Sequence, residues 1–352
     1  MIFTPELMKL ENGAPVTNEA DMHLRREEML EILKKYAYGD MPAPVPVSGE
    51  VVSAEKKCAA GKAMLYGINI TCDFGEKQFT FPVKLFMPHG EGRRKLITVI
   101  NFTESPYDKY IPSEEIIDNG FALAYIWYED IASDSADFEK GVAPFFPRTG
   151  SGRDPAKISM WAWGVSRALD YLSTRDDVDP DNLAVIGHSR LGKTALWCAA
   201  NDERVKFACS NDSGCMGAAY HRTLHEGGEP LSSIANVFPY WFCENIQKFE
   251  GDSSALPYDQ HFLLACIAPR FVLINSASLN DWADPYSEQL TCAAASPAWK
   301  VYGKAGYKGG TEEYGADEGC LYGEVAYFKR YGVHFLGRKD WQNLMFVISH
   351  NT

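Results

Sequence analysis

One stretch of the chain decides the fold: Leu183-Ala184-Val185-Ile186-Gly187-His188-Ser189-Arg190-Leu191-Gly192-Lys193. An apolar run stops at Gly187, and a helix-like segment follows from Thr194 to Ala200. A strand, a sharp turn and a helix in this order are typical of a nucleophile elbow, G-x-S-x-G, here with one extra residue before the second glycine. Residues without a large side chain leave room for a serine at the apex of a strained turn. The stretch therefore predicts that Ser189 is a nucleophile.

Continuous apolar runs indicate further strands that are covered on both faces, which is typical of a parallel sheet with crossover helices. These runs lie at 96–100, 121–127, 183–186, 207–209 and 271–274, with helices predicted at 113–119, 158–174 and 194–201. Three earlier segments alternate apolar and polar residues, as antiparallel strands do, at 50–57, 63–73 and 78–87. Together with the elbow, the pattern predicts an α/β-hydrolase fold, a three-layer sandwich with a mostly parallel central sheet.

The simplest organisation is one domain over residues 1–352 with two additions. Residues 1–48 form an N-terminal helical extension, with a helix expected at 18–37. Residues 213–270 are an aromatic-rich insertion, expected to lie over the carboxyl edge of the sheet, where α/β active sites are found. We expect the last strand at 299–302.

Charge and cysteine content bound the partners and the compartment. The net charge of −13, without a long acidic run, argues against nucleic acid and anionic membranes as partners. The nine cysteines are scattered without a C-x-x-C pair, which favours buried free thiols and a reducing compartment. With no signal peptide recognised, we expect a cytoplasmic protein that acts on a small-molecule or oligosaccharide ester and needs no cofactor or metal.

A serine nucleophile needs a general base, which in this fold follows the serine in the chain. Only two of the eight histidines come after the expected last strand, His334 and His350. His334 lies in a glycine-flanked loop, whereas His350 lies at the C-terminus, where disorder is common. We favour His334 as the base.

Three carboxylates are candidates for orienting the base. Asp281 follows the strand at 271–274 and suits the usual position of the acid. Asp212, in Ser210-Asn211-Asp212-Ser213-Gly214, ends the strand after the elbow helix and faces the same edge of the sheet. Asp284, directly before Pro285, suits a helix cap as well as the acid. We favour Asp281 and keep Asp212 and Asp284 as alternatives.

Two backbone segments are placed to form an oxyanion hole. The backbone N–H of Arg190 follows the nucleophile, and the loop 101–105, which contains Phe102, follows the first parallel strand. The guanidinium of Arg190 is a further donor, unless a nearby carboxylate pairs with it.

Several motifs resemble those of the glucuronoyl esterases, carbohydrate esterase family 15. Gly187-His188-Ser189-Arg190-Leu191-Gly192-Lys193 resembles the family signature G-C/H-S-R-x-G-K. Other pieces of the resemblance, which spans roughly residues 25–345, are Tyr38-Gly39-Asp40-Met41-Pro42, Trp161-Ala162-Trp163-Gly164-Val165-Ser166-Arg167, Ser210-Asn211-Asp212-Ser213-Gly214, Phe238-Pro239-Tyr240-Trp241-Phe242, Asp259-Gln260-His261 and Trp282-Ala283-Asp284-Pro285.

The resemblance implies an activity and a set of roles. The family cleaves the ester between 4-O-methyl-glucuronic acid on xylan and lignin alcohols, without a metal. By position, Ser189 and His334 would be nucleophile and base, and Arg190 would help to hold the oxyanion. Lys193 would bind sugar hydroxyls, with Glu229 and Trp282 lining the uronate pocket.

The acid is where this sequence departs from the family pattern. Members often carry an acid two residues before the tryptophan of W-A-D-P, a position that Asn280 occupies here. Some members use an acid at the position of Asp212 instead. The resemblance favours a uronate esterase; an acetyl esterase acting on xylan oligosaccharides and a non-catalytic carbohydrate-binding protein are the alternatives.

Overall fold

The apolar runs form strands of one ten-stranded sheet in the computed structural model, which describes residues 4–352. The strands are β1 (Val47–Cys58), β2 (Ala63–Asp73), β3 (Gln78–Pro88), β4 (Arg94–Asn101), β5 (Ala122–Trp127), β6 (Val178–His188), β7 (Val205–Asn211), β8 (Phe271–Ala277), β9 (Glu318–Cys320) and β10 (Val325–Arg330). Their order across the sheet is β1-β2-β3-β5-β4-β6-β7-β8-β10-β9. The six strands from β5 to β10 in this order run parallel, and antiparallel strands flank them on both sides.

Helices cover both faces of the sheet. They are α1 (Glu19–Leu33), α2 (Ser113–Asp118), α3 (Lys157–Leu172), α4 (Arg190–Asn201), α5 (Leu231–Val237), α6 (His261–Ala265), α7 (Pro285–Ala295), α8 (Pro297–Lys300) and α9 (Arg338–His350). Side chains that alternate along a strand enter opposite cores: Leu183 and Val185 of β6 pack in one, Ala184 and Ile186 in the other. Burial on both faces explains why the parallel strands read as continuous apolar runs.

One predicted strand is wrong. Residues 299–302 do not form the last strand, because Pro297 occupies the first turn of a helix and Trp299 lies within it. Proline fits the start of a helix, where its missing N–H has no partner to lose. The Trp299 indole N–H donates to the carbonyl of Arg270 at 2.8 Å, which fixes the helix against the sheet. The last strands are β9 and β10, and His334 still follows them.

The two additions expected around the core have helical structure. Helix α1 continues into a π-helical turn, Lys34–Tyr38, within the N-terminal extension. The insertion at 213–270 contains α5, α6 and several short 3-10 turns. That all of these belong to one domain stays a prediction.

All nine cysteines are free in the structure, and eight of them are buried. The reducing compartment inferred from their spacing stays a prediction. Within residues 4–352, each helix is too short or too polar to cross a bilayer.

The elbow depends on a glycine at its base. A side-chain methyl at Gly187 would overlap the carbonyl of Leu191, in the first turn of α4. The approach between the end of β6 and the start of α4 is therefore open only to glycine at this position.

We expect Gly187→Ala to destabilise the protein by about 1–3 kcal/mol, because backbone rather than a flexible side chain must move. Gly251→Ala is the matched control, since a methyl there meets nothing within 4 Å. Denaturant unfolding of both variants measures the difference. Equal stability of the two variants would contradict this account of the elbow.

Candidate active site

Ser189 occupies the apex of a strained turn between β6 and α4. Its backbone has φ 57° and ψ −127°, a conformation that side-chain-bearing residues rarely adopt. The turn is held because the Ser189 N–H donates to the carbonyl of Asn211 and its own carbonyl accepts from the Gly192 N–H, both at 2.9 Å. Strain that is held in this way projects the hydroxyl away from the sheet.

The carboxyl ends of neighbouring parallel strands bring four polar side chains to one place. Ser189 follows β6, Asp212 follows β7, Asn280 lies beyond β8 and His334 lies beyond β10. They border a cavity of about 310 Å³, a volume suited to a small ligand. The cavity is lined by Ser189, Arg190, Lys193, Asp212, Ser213, Gly214, Glu229, Phe238, Trp241, Asn280, Trp282, Ala283 and His334.

The surroundings of His334 favour a neutral imidazole. Its ring packs against His188, with ring centroids 4.3 Å apart, and its Nδ1 lies 2.9 Å from Nδ2 of Asn280. Although its outer edge is exposed, burial of the rest of the ring lowers the pKa of His334 to about 4, and the cations Lys193 and Arg330 add to the effect. An uncharged imidazole near neutral pH is the form that a general base requires.

Asp212 is buried beside the histidine. Its Oδ1 accepts the Ala277 N–H at 2.8 Å, and its Oδ2 lies 3.3 Å from Nη2 of Arg330. Burial raises the pKa of Asp212, and Arg330 opposes that rise. One ligating atom each of Asp212, His334 and His188 lie within 4.8 Å of one another.

The structure does not bring the other two acid candidates, or the alternative base His350, to the cavity. Asp281 begins a 3-10 turn, Asp281–Ala283, which leaves its side chain exposed and outside the cavity lining. Asp284 is buried, caps α7 by accepting from the Ser287 N–H, and pairs with His225 at 2.8 Å. His350 ends α9, where its Nδ1 contacts the carbonyl of Phe346.

Arg190 reaches the cavity with its charge already paired. Its Nε lies 2.8 Å from Oδ2 of Asp134, an ion pair rather than an aligned hydrogen bond. The guanidinium also lies over the ring of Phe102, 4.6 Å from its centroid, and over those of Tyr128 and Trp241. Phe102 therefore packs against the guanidinium of Arg190 and lies outside the cavity lining.

Lys193, Glu229 and Trp282 line the far side of the cavity. Lys193 is buried and donates to the carbonyl of Ser213. Burial lowers the pKa of Lys193 and raises that of Glu229, while the opposite charge of each partner counters the shift. The Glu229 N–H donates to the Trp282 carbonyl at 2.9 Å, which joins the two residues, and Trp282 is 52% exposed.

Sequence reasoning missed two buried charges. Arg330 ends β10 and binds both Asp212 and the loop that carries His334. Glu288 of α7 accepts from the Gly214 N–H at 2.8 Å and from Ser276 at 2.5 Å, and burial raises its pKa to about 7. Arg330 gave a sequence signal, since it follows an apolar run at 325–328, whereas Glu288 lies between Ser287 and Gln289 and gave none.

Within residues 4–352, one group of side chains is close enough together to hold a metal ion: His188, His334 and Asp212. Arg330 already pairs with Asp212, and Lys193 and Arg190 add positive charge near His334. This positive surrounding opposes a bound cation. The expectation of a metal-free site stays a prediction.

Comparison with known proteins places this site in context. The family described as "Glucuronyl esterase, fungi" matches residues 70–303. A carbohydrate esterase from an unknown prokaryotic organism is 35% identical over 68% of this chain, which spans about 55% of that relative's length. A 4-O-methyl-glucuronoyl methylesterase of Phanerochaete carnosa is 27% identical over 85% of this chain and 72% of its own.

A solved structure is similar over nearly the whole chain. The glucuronoyl esterase from Solibacter usitatus superposes with a TM-score of 0.89 at 31% identity, covering 99% of this chain and 97% of that one. This similarity, together with the sheet order, confirms the predicted α/β-hydrolase fold.

We expect the acid limb of the pH–rate profile to lie well below pH 6.5, near the lowered pKa of His334, about 4. A histidine with a lowered pKa stays neutral as the pH falls through 6.5 and becomes protonated only near the lower value, so activity persists in mild acid. The measurement is kcat/KM for 4-nitrophenyl acetate from about pH 3 to pH 8, with circular dichroism in the same buffers as a control for unfolding. A limb at pH 6.5 in folded protein would contradict the burial of His334.

Proposed function

Because the chain belongs to the glucuronyl esterase family, we propose that it is a serine carboxylic-ester hydrolase that cleaves uronate esters of carbohydrates. The observation that carries the proposal is a single cavity that contains both Ser189 and the group Lys193, Glu229 and Trp282. A nucleophile and a polar sugar-sized pocket with one aromatic wall are what a carbohydrate ester requires.

The proposed reaction passes through an acyl-enzyme. His334 takes the proton of the Ser189 hydroxyl through Nε2 as Oγ forms a bond to the ester carbonyl carbon. The carbonyl oxygen becomes an oxyanion, which the backbone N–H of Arg190 and its guanidinium stabilise. When the intermediate collapses, the ester C–O bond breaks and the alcohol leaves with the proton from His334. Water, activated by the same histidine, then releases the uronic acid and restores Ser189.

Asp212 is the acid that we propose for this triad. Its burial next to His334 supports this role, as does its position after β7, whereas Asp281 is exposed. A carboxylate in this place stabilises the imidazolium that forms while the serine proton is in transit.

The charges around the cavity fit a neutral substrate that develops negative charge. Arg190 is fixed by Asp134 and by three aromatic rings, so it needs little rearrangement when the oxyanion forms. A uronate ester is uncharged, and its hydrolysis yields an oxyanion first and a carboxylate last. Donors in this arrangement favour the transition state over the bound ester.

The acetyl esterase and the non-catalytic binding protein remain alternatives that one assay separates. We expect benzyl glucuronate to be hydrolysed with a higher kcat/KM than 4-nitrophenyl acetate, and Ser189→Ala to lose at least about 10⁴-fold on both. Activity on the acetate alone would sink the uronate proposal and favour the acetyl esterase. Folded protein without activity on either ester would favour the binding protein.

A second comparison tests the acid. We expect Asp212→Asn to lower kcat by about 10²-fold or more, since it removes the charge that stabilises the imidazolium. Asp281→Asn is the matched control and should stay within about twofold, because surface substitutions rarely matter far from a site. Similar small losses in both variants, with unchanged thermal stability, would mean that Asp212 does not stabilise the imidazolium of His334.

A further inference from the structure

The side chain in contact with the proposed base is a neutral amide. Nδ2 of Asn280 lies 2.9 Å from Nδ1 of His334. Within residues 4–352, no carboxylate oxygen lies within ion-pair distance of this imidazole, although Asp212 is close by. The base of this chain is therefore held by an amide where a serine hydrolase ordinarily uses a carboxylate.

Asp212 is turned toward other donors. Its two oxygens are occupied by the Ala277 N–H and by Arg330. The Asn280 amide also opposes the rise in the pKa of Asp212, so it is close to the acid as well as to the imidazole.

The place of Asn280 is set by its own turn. Its backbone N–H donates to the carbonyl of Ala277 at 3.2 Å, and its carbonyl accepts from the Ala283 N–H at 3.1 Å. The residue is 7% exposed. Since the backbone is fixed on both sides, the amide is positioned before substrate arrives and does not depend on His334 for its location.

An amide can choose the tautomer of an imidazole. In the orientation of the structure Nδ2 faces the ring, so that Nδ1 accepts and the proton sits on Nε2, where it prevents uptake of the serine proton. When the amide makes a half-turn, Oδ1 accepts the Nδ1–H and Nε2 keeps its lone pair. Cysteine hydrolases of unrelated fold orient their histidine with an asparagine in this second way.

We propose that Asn280 is a positioning residue that selects the reactive tautomer of His334 through its contact with Nδ1 of the ring. The inference rests on the proposed serine-hydrolase function, and it identifies what orients the base. We therefore expect the protonation of His334 to depend more strongly on residue 280 than on Asp212.

Two substitutions test the role by kinetics. Asn280→Ala should lower kcat by about 10- to 100-fold with little change in KM, because the ring loses its orientation and not its pocket. Asn280→Asp should move the acid limb of kcat/KM upward by about one pH unit or more, since a carboxylate at this distance stabilises the imidazolium. Asp281→Asn, one position along the chain, is the control and should leave both quantities unchanged.

Neighbouring carboxylates can share a proton, so Asn280→Asp is also measured in the Asp212→Asn background. The upward shift of the limb should persist there. Wild-type kcat and an unmoved acid limb in folded Asn280→Ala and Asn280→Asp would overturn the proposal.

A direct measurement of the tautomer does not depend on activity. Long-range ¹H–¹⁵N spectra of histidine-labelled protein report which ring nitrogen carries the proton, and His334→Gln identifies the signals. We expect Nδ1–H in the wild type and a growing share of Nε2–H in Asn280→Ala. The same tautomer in both proteins would overturn the inference. If the tautomer shifts as expected while neither ester is hydrolysed, the proposed function fails and the hold of Asn280 on His334 stands.

Discussion

The site depends on the contacts of one buried cation, the guanidinium of Arg330. It ends β10, is 7% exposed, and contacts the carboxylates of Asp212 and Asp340. It also donates to the carbonyls of Val333 and Phe335, on either side of His334. One cation thus joins the end of β7, the loop of the proposed base and the first turn of α9. Removing one partner of such a buried group leaves an uncompensated charge, which costs far more than a surface ion pair.

Each cation at or beside the cavity has a nearby carboxylate. Arg330 is matched by Asp212 and Asp340, Arg190 by Asp134, and Lys193 by the nearby Glu229. These ion pairs hold the cations in place, while Lys193, Arg330 and Arg190 still leave His334 in positive surroundings. Preorganised donors of this kind stabilise charge where it develops and need little rearrangement. The neutral contact between Asn280 and His334 fits this arrangement, because the positive surroundings already favour an uncharged imidazole.

Local sequence patterns predicted much of the fold. The alternating strand predicted at 63–73 forms with those bounds as β2, and the elbow lies between β6 and α4 as its glycines indicated. The expected strand at 299–302 failed because Pro297 begins a helix there, a local signal that the apolar run outweighed. Within the site, the strand ends brought Ser189, His334 and Asp212 to one cavity, together with Lys193, Glu229 and Trp282.

Sequence alone predicted the strained turn that carries Ser189, because glycine spacing is a local property of Gly187 to Gly192. It favoured Asp281 over Asp212, but both follow strands, and the sequence does not show where their side chains point. Tertiary structure decided that difference: the 3-10 turn at Asp281–Ala283 leaves Asp281 exposed, while the parallel register of β7 and β8 buries Asp212 beside Arg330. Contacts between the ends of separate strands depend on the whole sheet, and no pattern along one segment contains them.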